Sequence, residues 1–258
     1  MREAQVNEIQ EAVRAKYAER ALDMTNGAAC CDDSCCDANG CGGGYAAEEL
    51  ADLGLDAGVS LGCGNPTLLA DLRPGEVVLD LGSGAGLDVL LSARRVAPGG
   101  HAYGVDMTDE MLAVARANQA KAGLSNATFL RGTVEDIPLP DAAVDVVISN
   151  CVINLAADKG AVLREAFRVL RPDGRFAVAD MIALEELAPE AKRRLDLWAG
   201  CVAGTITLDA YVHELRSAGF DAIDIEVTRE VRLEDVEGRI ASAYIRARRP
   251  SRLETAAR

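Results

Sequence analysis

Two groups of residues in this chain are of a kind and spacing that does chemistry: its cysteines, and a glycine run beside carboxylates. There are eight cysteines. Five crowd together as Cys30, Cys31, Cys35, Cys36 and Cys41 in a segment of Gly, Asp and Asn that cannot bury much apolar surface. Three stand apart: Cys63 in Leu-Gly-Cys63-Gly-Asn-Pro66, Cys151 in Ile-Ser-Asn-Cys151, and Cys201 in Leu197-Trp-Ala-Gly-Cys201. A thiolate is both a nucleophile and a soft ligand. The second group is Asp80-Leu-Gly82-Ser-Gly84-Ala-Gly86. Glycines there let backbone approach a ligand closely and adopt positive φ. The spacing is Gly-x-Gly-x-Gly, unlike the Gly-x-Gly-x-x-Gly of dinucleotide enzymes.

The elements that must position these residues follow from the apolar pattern. Residues 3–22 read as a helix, with Val6, Ile9, Val13, Tyr17 and Leu22 on one stripe. From Glu76 strands and helices alternate. Strands are predicted at Val77–Leu81, His101–Asp106, Ala127–Gly132, Val144–Cys151 and Arg175–Met181. Helices are predicted at Gly86–Arg95, Asp109–Ala122 and Lys159–Leu170, the last stopped by Pro172 and Gly174. Repeated βαβ units give an α/β fold built on a doubly wound, mostly parallel sheet. Beyond it come helices at Pro189–Val202 and Leu208–Ala218. Two runs, Ala222–Val227 and Ile240–Ala247, are placed to close the sheet edge as an antiparallel pair. The division expected is an N-terminal helix and Cys-rich extension over 1–65, a cofactor core over 66–183, and a C-terminal α+β cover over 184–258.

In such a sheet a ligand sits outside the carboxyl ends of the strands. The glycine run follows the first strand and Asp106 ends the second, where a carboxylate accepts two hydrogen bonds from a ribose diol. After the third strand, Val134 offers its backbone N–H to an adenine, and Glu135 or Asp136 accepts from the exocyclic amine. Asn150 and Cys151 end the fourth strand, facing the reactive end of the same crevice. Over about residues 70–183 the chain resembles class I S-adenosylmethionine-dependent methyltransferases, a Rossmann-like fold. The resemblance implies that the glycine loop with Asp80, Gly82, Gly84 and Gly86 holds the methionine part and that Asp106 holds the ribose.

The fold does not name the methyl acceptor. A lone cysteine is most often a small buried hydrophobe. Structural zinc takes four ligands, often in Cys-x-x-Cys pairs, and no Cys-x-x-Cys occurs here. Three thiolates around one crevice suit a soft pyramidal centre with a lone pair, such as trivalent arsenic. The phrases around Cys63, Cys151 and Cys201, with Gly104-Val-Asp106-Met107-Thr, resemble those of arsenite S-adenosylmethionine methyltransferases over about residues 45–230. That resemblance implies that Cys63, Cys151 and Cys201 bind arsenic. It also implies a cofactor set including Met107, Val134, Glu135 and Asn150, and redox cycling by cysteines among Cys30, Cys31, Cys35 and Cys36. Longer members carry a further C-terminal domain that this chain is expected to lack.

Attack by the arsenic lone pair needs orientation rather than a general base, so His101 and His213 read as structural. Attack oxidises arsenic formally by two electrons. A cysteine pair returns them by closing a disulfide, which a thioredoxin or glutathione system reopens. Bulk properties agree with a small-molecule enzyme. The net charge of −14 disfavours nucleic acid and anionic membrane. No apolar run has the length of a membrane span, and the first residues do not read as a secretory signal. A cytoplasmic monomer is expected. The competing readings are a methyltransferase for an organic acceptor and a non-enzymatic metalloid-binding protein.

Overall fold

The computed structural model describes residues 3–25, 45–55, 62–231 and 238–251. Cys30, Cys31, Cys35, Cys36 and Cys41 lie outside the described residues. The sheet is built from β1 (Val77–Leu81), β2 (His101–Asp106), β3 (Ala127–Arg131), β4 (Val144–Asn150), β5 (Leu170–Ala183), β6 (Asp221–Val231) and β7 (Ile240–Arg248). Their spatial order is β3-β2-β1-β4-β5-β7-β6. The first five pair in parallel and β7 runs antiparallel between β5 and β6. Strand order reverses between β1 and β4, the place where an open α/β sheet opens a crevice at its carboxyl ends.

The crossovers are α4 (Leu87–Arg95), α5 (Asp109–Ala122) and α6 (Lys159–Val169). Two apolar layers cover the sheet. Leu87, Leu90, Leu91, Leu112 and Ala115 pack with Phe129 and Ala102 on one face. Val162, Leu163 and Val169 pack on the other with Tyr211 and Leu215 of α9 (Leu208–Ala218). β4 is apolar almost throughout because both its faces are covered. At the opposite, amino-terminal side, Arg175 donates two hydrogen bonds to Glu76 at 2.7 and 2.8 Å, tying β5 to the entry of β1.

The expected elements are present, with four differences of physical interest. The helix from Lys159 ends at Val169, and β5 begins at once at Leu170, running through Pro172 and Gly174. A register shift in the β4–β5 ladder, from Val144↔Leu170 to Val146↔Arg175, takes up those extra residues. The helix expected over Pro189–Val202 is two short ones, α7 (Pro189–Lys192) and α8 (Leu195–Ala199), so Cys201 lies beyond a helix end. Short helices α2 (Ala47–Asp52) and α3 (Pro66–Leu69) escape the periodic pattern, too brief to show one. The fourth is one of extent: β6 and β7, which close the sheet edge as an antiparallel pair as expected, run longer than the sequence pattern, over Asp221–Val231 and Ile240–Arg248.

The N-terminal helix α1 (Glu3–Thr25) crosses the carboxyl ends of the strands and packs on α5, α8 and the 3-10 turn Ile153–Leu155. Ile9 and Val13 are buried there among Leu155, Trp198 and Ala203, and Ala21 sits between Ala85 and Met111. Among the described residues no helix is long and apolar enough to cross a membrane. Truncating Ile9, which is 1% exposed, to alanine removes buried methyl and methylene groups and leaves a cavity. Ile9→Ala is expected to weaken docking of α1 by roughly 2–5 kcal/mol. Hydrogen exchange is the measurement: amides of α1 lose protection while those of β1 and β4 keep theirs.

Candidate active site

The turn after β1 is held open by its glycines. Gly82 and Gly86 have φ of +67° and +88°. A Cβ on Gly86 would lie 2.7 Å from the Phe129 ring, and one on Gly82 would lie 2.5 Å from Val152. Gly86 then caps α4. Asp106, at the end of β2, accepts the backbone N–H of Gly84 at 2.9 Å and of Thr108 at 2.8 Å, one on each carboxylate oxygen. Burial pushes its carboxyl up in pKa, and those backbone hydrogen bonds oppose it.

Two contiguous cavities open around this turn. One is lined by Gly82, Asp106, Met107, Val134, Glu135 and residues of α1. The other is lined by Asp80, Gly82, Gly84, Asp88, Asn150 and again α1. Asp80 is 3% exposed and its Oδ1 has no hydrogen-bond partner among the described residues, nor has the Ser83 hydroxyl. Burial, Asp88 and Asp106 together hold the Asp80 carboxyl well above the usual range. Burial likewise raises Asp88 to about 6, against hydrogen bonds from Tyr45 and Asn150 and the nearby Arg95. A desolvated carboxylate without a partner calls for a cation. S-adenosylmethionine carries an ammonium and a sulfonium, so the residues present fit it. The predicted residues Asp80, Gly82, Gly84, Asp106, Met107, Val134, Glu135 and Asn150 all line these two cavities, and Gly86 ends the same turn.

Asn150 does more than line a cavity. Its Oδ1 accepts the N–H of Cys63 at 2.9 Å and of Gly64 at 3.2 Å. Its amide donates to Gly64 O at 2.8 Å, Tyr45 Oη at 3.0 Å and Asp88 at 3.3 Å. The Leu-Gly-Cys-Gly phrase is thus wrapped around one amide. A Cβ on Gly62 would fall within 2.2 Å of that amide, and one on Gly64 would lie 2.7 Å from Ala179 Cβ. These contacts explain the glycines on both sides of Cys63.

The three separate cysteines meet. Cys63 and Cys151 are joined by a disulfide with Cα atoms 6.0 Å apart. Cys201 is the free thiol among the described cysteines, and its Sγ donates to Cys151 O at 3.0 Å. Met181, Leu187 and Val202 surround the trio. Cys151 and Cys201 both have φ of +60°, a left-handed conformation uncommon in residues with a side chain and concentrated at functional sites. Burial and Asp180 push the Cys201 thiol up to about 12, against Lys16, Tyr17 and Lys159. Among the described residues no group of three His, Cys, Asp or Glu has the geometry to hold a metal ion. The sulfurs as they stand are a thiol beside an oxidised pair.

Sequence reasoning missed several residues at this site. Tyr17 and Gln10 of α1 line the cavities, and Gln10 donates to Glu135 at 3.4 Å. Near Cys201, Asp180, three residues before the end of β5, accepts from Asn154 at 2.8 Å and is raised by burial to about 7. Lys159 donates to Ala156 O at 3.0 Å, lies 5.0 Å above the Trp198 ring, and is lowered by burial to about 8. Asp180 carried a signal in the sequence, a lone carboxylate in an otherwise apolar strand run. Tyr17 and Gln10 carry no local signal.

A glycine turn, a strand-end carboxylate and a crevice at the reversal of this strand order define a class I S-adenosylmethionine-dependent methyltransferase. Comparison with known proteins agrees. A methyltransferase domain family matches residues 72–219. The arsenite methyltransferase of Halobacterium salinarum is 41% identical over 95% of this chain and 68% of its own length. That of Aquipseudomonas alcaligenes is 41% identical over 62% of this chain and 47% of its own length. The crystal structure of an arsenic(III) S-adenosylmethionine methyltransferase from Chlamydomonas reinhardtii superposes with a TM-score of 0.68 at 34% identity. It covers 77% of this chain and 72% of that one. The chain belongs to the arsenite methyltransferase family; it spans about two thirds of its haloarchaeal relative and under half of the Aquipseudomonas one.

Carboxyls held above their usual range bind more protons in the native state than in the unfolded chain, so they favour folding less as pH rises. A cationic ligand favours their ionised form, so its affinity rises with pH. S-adenosylmethionine binding is expected to tighten as pH climbs through about 6, the value to which Asp88 is raised. Asp80→Asn is expected to weaken binding at least tenfold, and Asp88→Asn to flatten that dependence. Titration calorimetry at pH 5.5 and 8 reads both.

Proposed function

We propose that this protein methylates trivalent arsenic, taking the methyl group from S-adenosylmethionine and holding the arsenic on the thiolates of Cys63, Cys151 and Cys201. The observation that carries the reading is the convergence of these three cysteines, far apart in sequence, at the edge of the cofactor crevice. An organic acceptor would leave that convergence, and the left-handed backbone of Cys151 and Cys201, without a purpose.

S-adenosylmethionine, when bound, supplies a methyl group on a sulfonium, whose departing sulfur leaves as a neutral thioether as the arsenic lone pair takes the methyl. The chain's part is to seat and aim. Asp80, with Ser83 beside it, faces the methionine ammonium. Asp106 would hold the ribose hydroxyls. Val134 and Glu135 meet the adenine. Three sulfurs on one side of the arsenic leave its lone pair on the other, and rigid placement of those sulfurs sets the approach, a gain by orientation. The glycine turn and α1 close round the reacting groups and limit water.

The Cys63–Cys151 disulfide has to be reduced before a three-thiolate site exists. We assign that task to a thiol reductant of the thioredoxin or glutathione kind, with Cys30, Cys31, Cys35 and Cys36 as candidates for relaying electrons. A monomer working in the cytoplasm accords with this chemistry.

The decisive assay combines protein, arsenite, a thiol and S-adenosylmethionine, and follows arsenic speciation. Methylated arsenicals and arsenite-dependent release of S-adenosylhomocysteine are expected. Cys151→Ser and Cys201→Ser are each expected to abolish methylation while S-adenosylmethionine affinity stays nearly unchanged; full activity in both would overturn the three-thiolate reading. Trp198 packs in the same cluster as Cys201, so saturating arsenite is expected to change the fluorescence of this single tryptophan.

A further inference from the structure

Two stretches of chain bring Cys151 and Cys201 face to face, and they touch at more than the thiol. One runs from Cys151 through the 3-10 turn Ile153–Leu155 to Ala156. The other runs from Trp198 at the end of α8 through Cys201 to Thr205. Cys201 Sγ donates to Cys151 O at 3.0 Å. Three residues further along each stretch, Gly204 lies flush on Asn154. A Cβ on Gly204 would collide with the Asn154 carbonyl and lie 2.8 Å from the Trp198 ring. Lys159 makes a third link: its ammonium donates to Ala156 O at 3.0 Å and lies 5.0 Å from the centre of the Trp198 ring. The two stretches are thus matched in register, Cys151 with Cys201 and Asn154 with Gly204.

One side chain fixes the first stretch to the sheet. The N–H of Cys151 donates to Ala179 O at 2.8 Å. The Asn154 amide donates to Asp180 Oδ1 at 2.8 Å and to Met181 O, on the next two residues of β5. The turn that carries Cys151 is therefore anchored on one strand at both ends, with the left-handed Cys151, φ +60°, at its start. Asn154 and Asp180 are buried, yet Asn154 Oδ1 and Asp180 Oδ2 have no hydrogen-bond partner among the described residues. Unpaired buried polar atoms cost stability, and an apolar pair of similar shape would cover this spot without that cost. What the amide supplies instead is direction.

We propose that Asn154 is the positioning residue for the arsenic-binding thiols: its amide pins the Cys151 turn to β5 and its carbonyl seats Gly204, so that one residue sets Cys201 against Cys151. The proposal rests on the arsenic-thiolate reading above. One atom bound by three sulfurs tolerates little error in where each sulfur lies, so the groups that support the ligands matter as much as the ligands. Neither Asn154, Asp180 nor Gly204 lines the two cofactor cavities, which makes their effect on the acceptor separable from any effect on the methyl donor.

Asn154→Leu keeps the approximate shape and removes the amide. Asp180→Asn keeps an acceptor oxygen for Asn154 and for the Met181 N–H, and is the conservative control. The first measurement is hydrogen exchange on the full chain, without arsenic or cofactor. In Asn154→Leu the amides of Leu155 and Ala156 and, in the other stretch, those of Ala203 and Thr205 are expected to exchange about tenfold faster, with β1 and β4 unchanged. The second is the arsenite KM, expected to rise about tenfold, the size of one or two net hydrogen bonds, while S-adenosylmethionine affinity by calorimetry stays within about threefold. Gly204→Ala disturbs the same contact from the other side. It is expected to give the same split, and the two changes together no more than the larger alone. Asp180→Asn is expected within about twofold of the parent protein throughout.

Faster exchange confined to Leu155 and Ala156, or none at all, would overturn the proposal. So would loss of protection in β1 and β4 as well, which would make Asn154 a part of the fold at large. A parent-like arsenite KM in Asn154→Leu, or a loss of S-adenosylmethionine affinity as large as the loss for arsenite, would do the same. Because the exchange measurement contains no arsenic, its outcome stands apart from the methylation reading, which fails or holds on arsenic speciation with the parent protein.

Discussion

The arrangement of this site depends on one side-chain amide. Asn150 ends the central strand β4, and its two polar atoms engage the backbone of Cys63 and Gly64, the hydroxyl of Tyr45 and the carboxylate of Asp88. A primary amide offers two donors and two acceptor positions. Here both ends are engaged, which joins the loop before α3, the first turn of α4 and the end of β4. Without that junction Cys63 would have no reason to meet Cys151, its neighbour across the loop. The resemblance to methyltransferases assigns Asn150 to the cofactor. Its hydrogen bonds show that it also fixes the backbone at Cys63 and Gly64.

This end of the sheet gathers groups that dislike their surroundings. Asp80, Asp88, Asp106 and Asp180 are desolvated carboxyls, and Lys159 is a desolvated amine. Cys151 and Cys201 sit in backbone conformations that side chains rarely adopt. Such features cluster where a fold has been shaped for ligands rather than for its own stability. The rest of the sheet shows the opposite: apolar layers on both faces and a two-pronged Arg175–Glu76 pair at the far end.

Much of this was legible in the chain because the sheet writes its ligand sites at strand ends. The second and fourth strands end in Asp106 and Asn150, the first carries Asp80 one residue before its end, and each of the three lines the crevice. The antiparallel pair of the C-terminal runs was legible for the same reason, two apolar stretches with room to turn between them. What stayed hidden was tertiary. The stripe of α1 shows that the helix has a buried face but not what it covers, since Tyr17 and Cys201 are separated by most of the chain. The break between α7 and α8 was hidden too, as helical residues continue across it. Proline and glycine announce stops well only where backbone geometry alone decides: Pro172 and Gly174 lie inside β5, where a bulge accommodates them.

The convergence of the cysteines has a consequence for the chain as a polymer. Cys63 and Cys151 stand 88 residues apart, and Cys151 and Cys201 another 50. One atom bound to all three sulfurs would close two long loops at once, and closing long loops restricts the unfolded chain most. The substrate would then be a temporary staple. Its capture adds to the free energy of folding in proportion to the logarithm of its concentration, and each release of product returns that stability to the solvent. An enzyme of this design is most resistant to unfolding while the toxic element it handles is abundant.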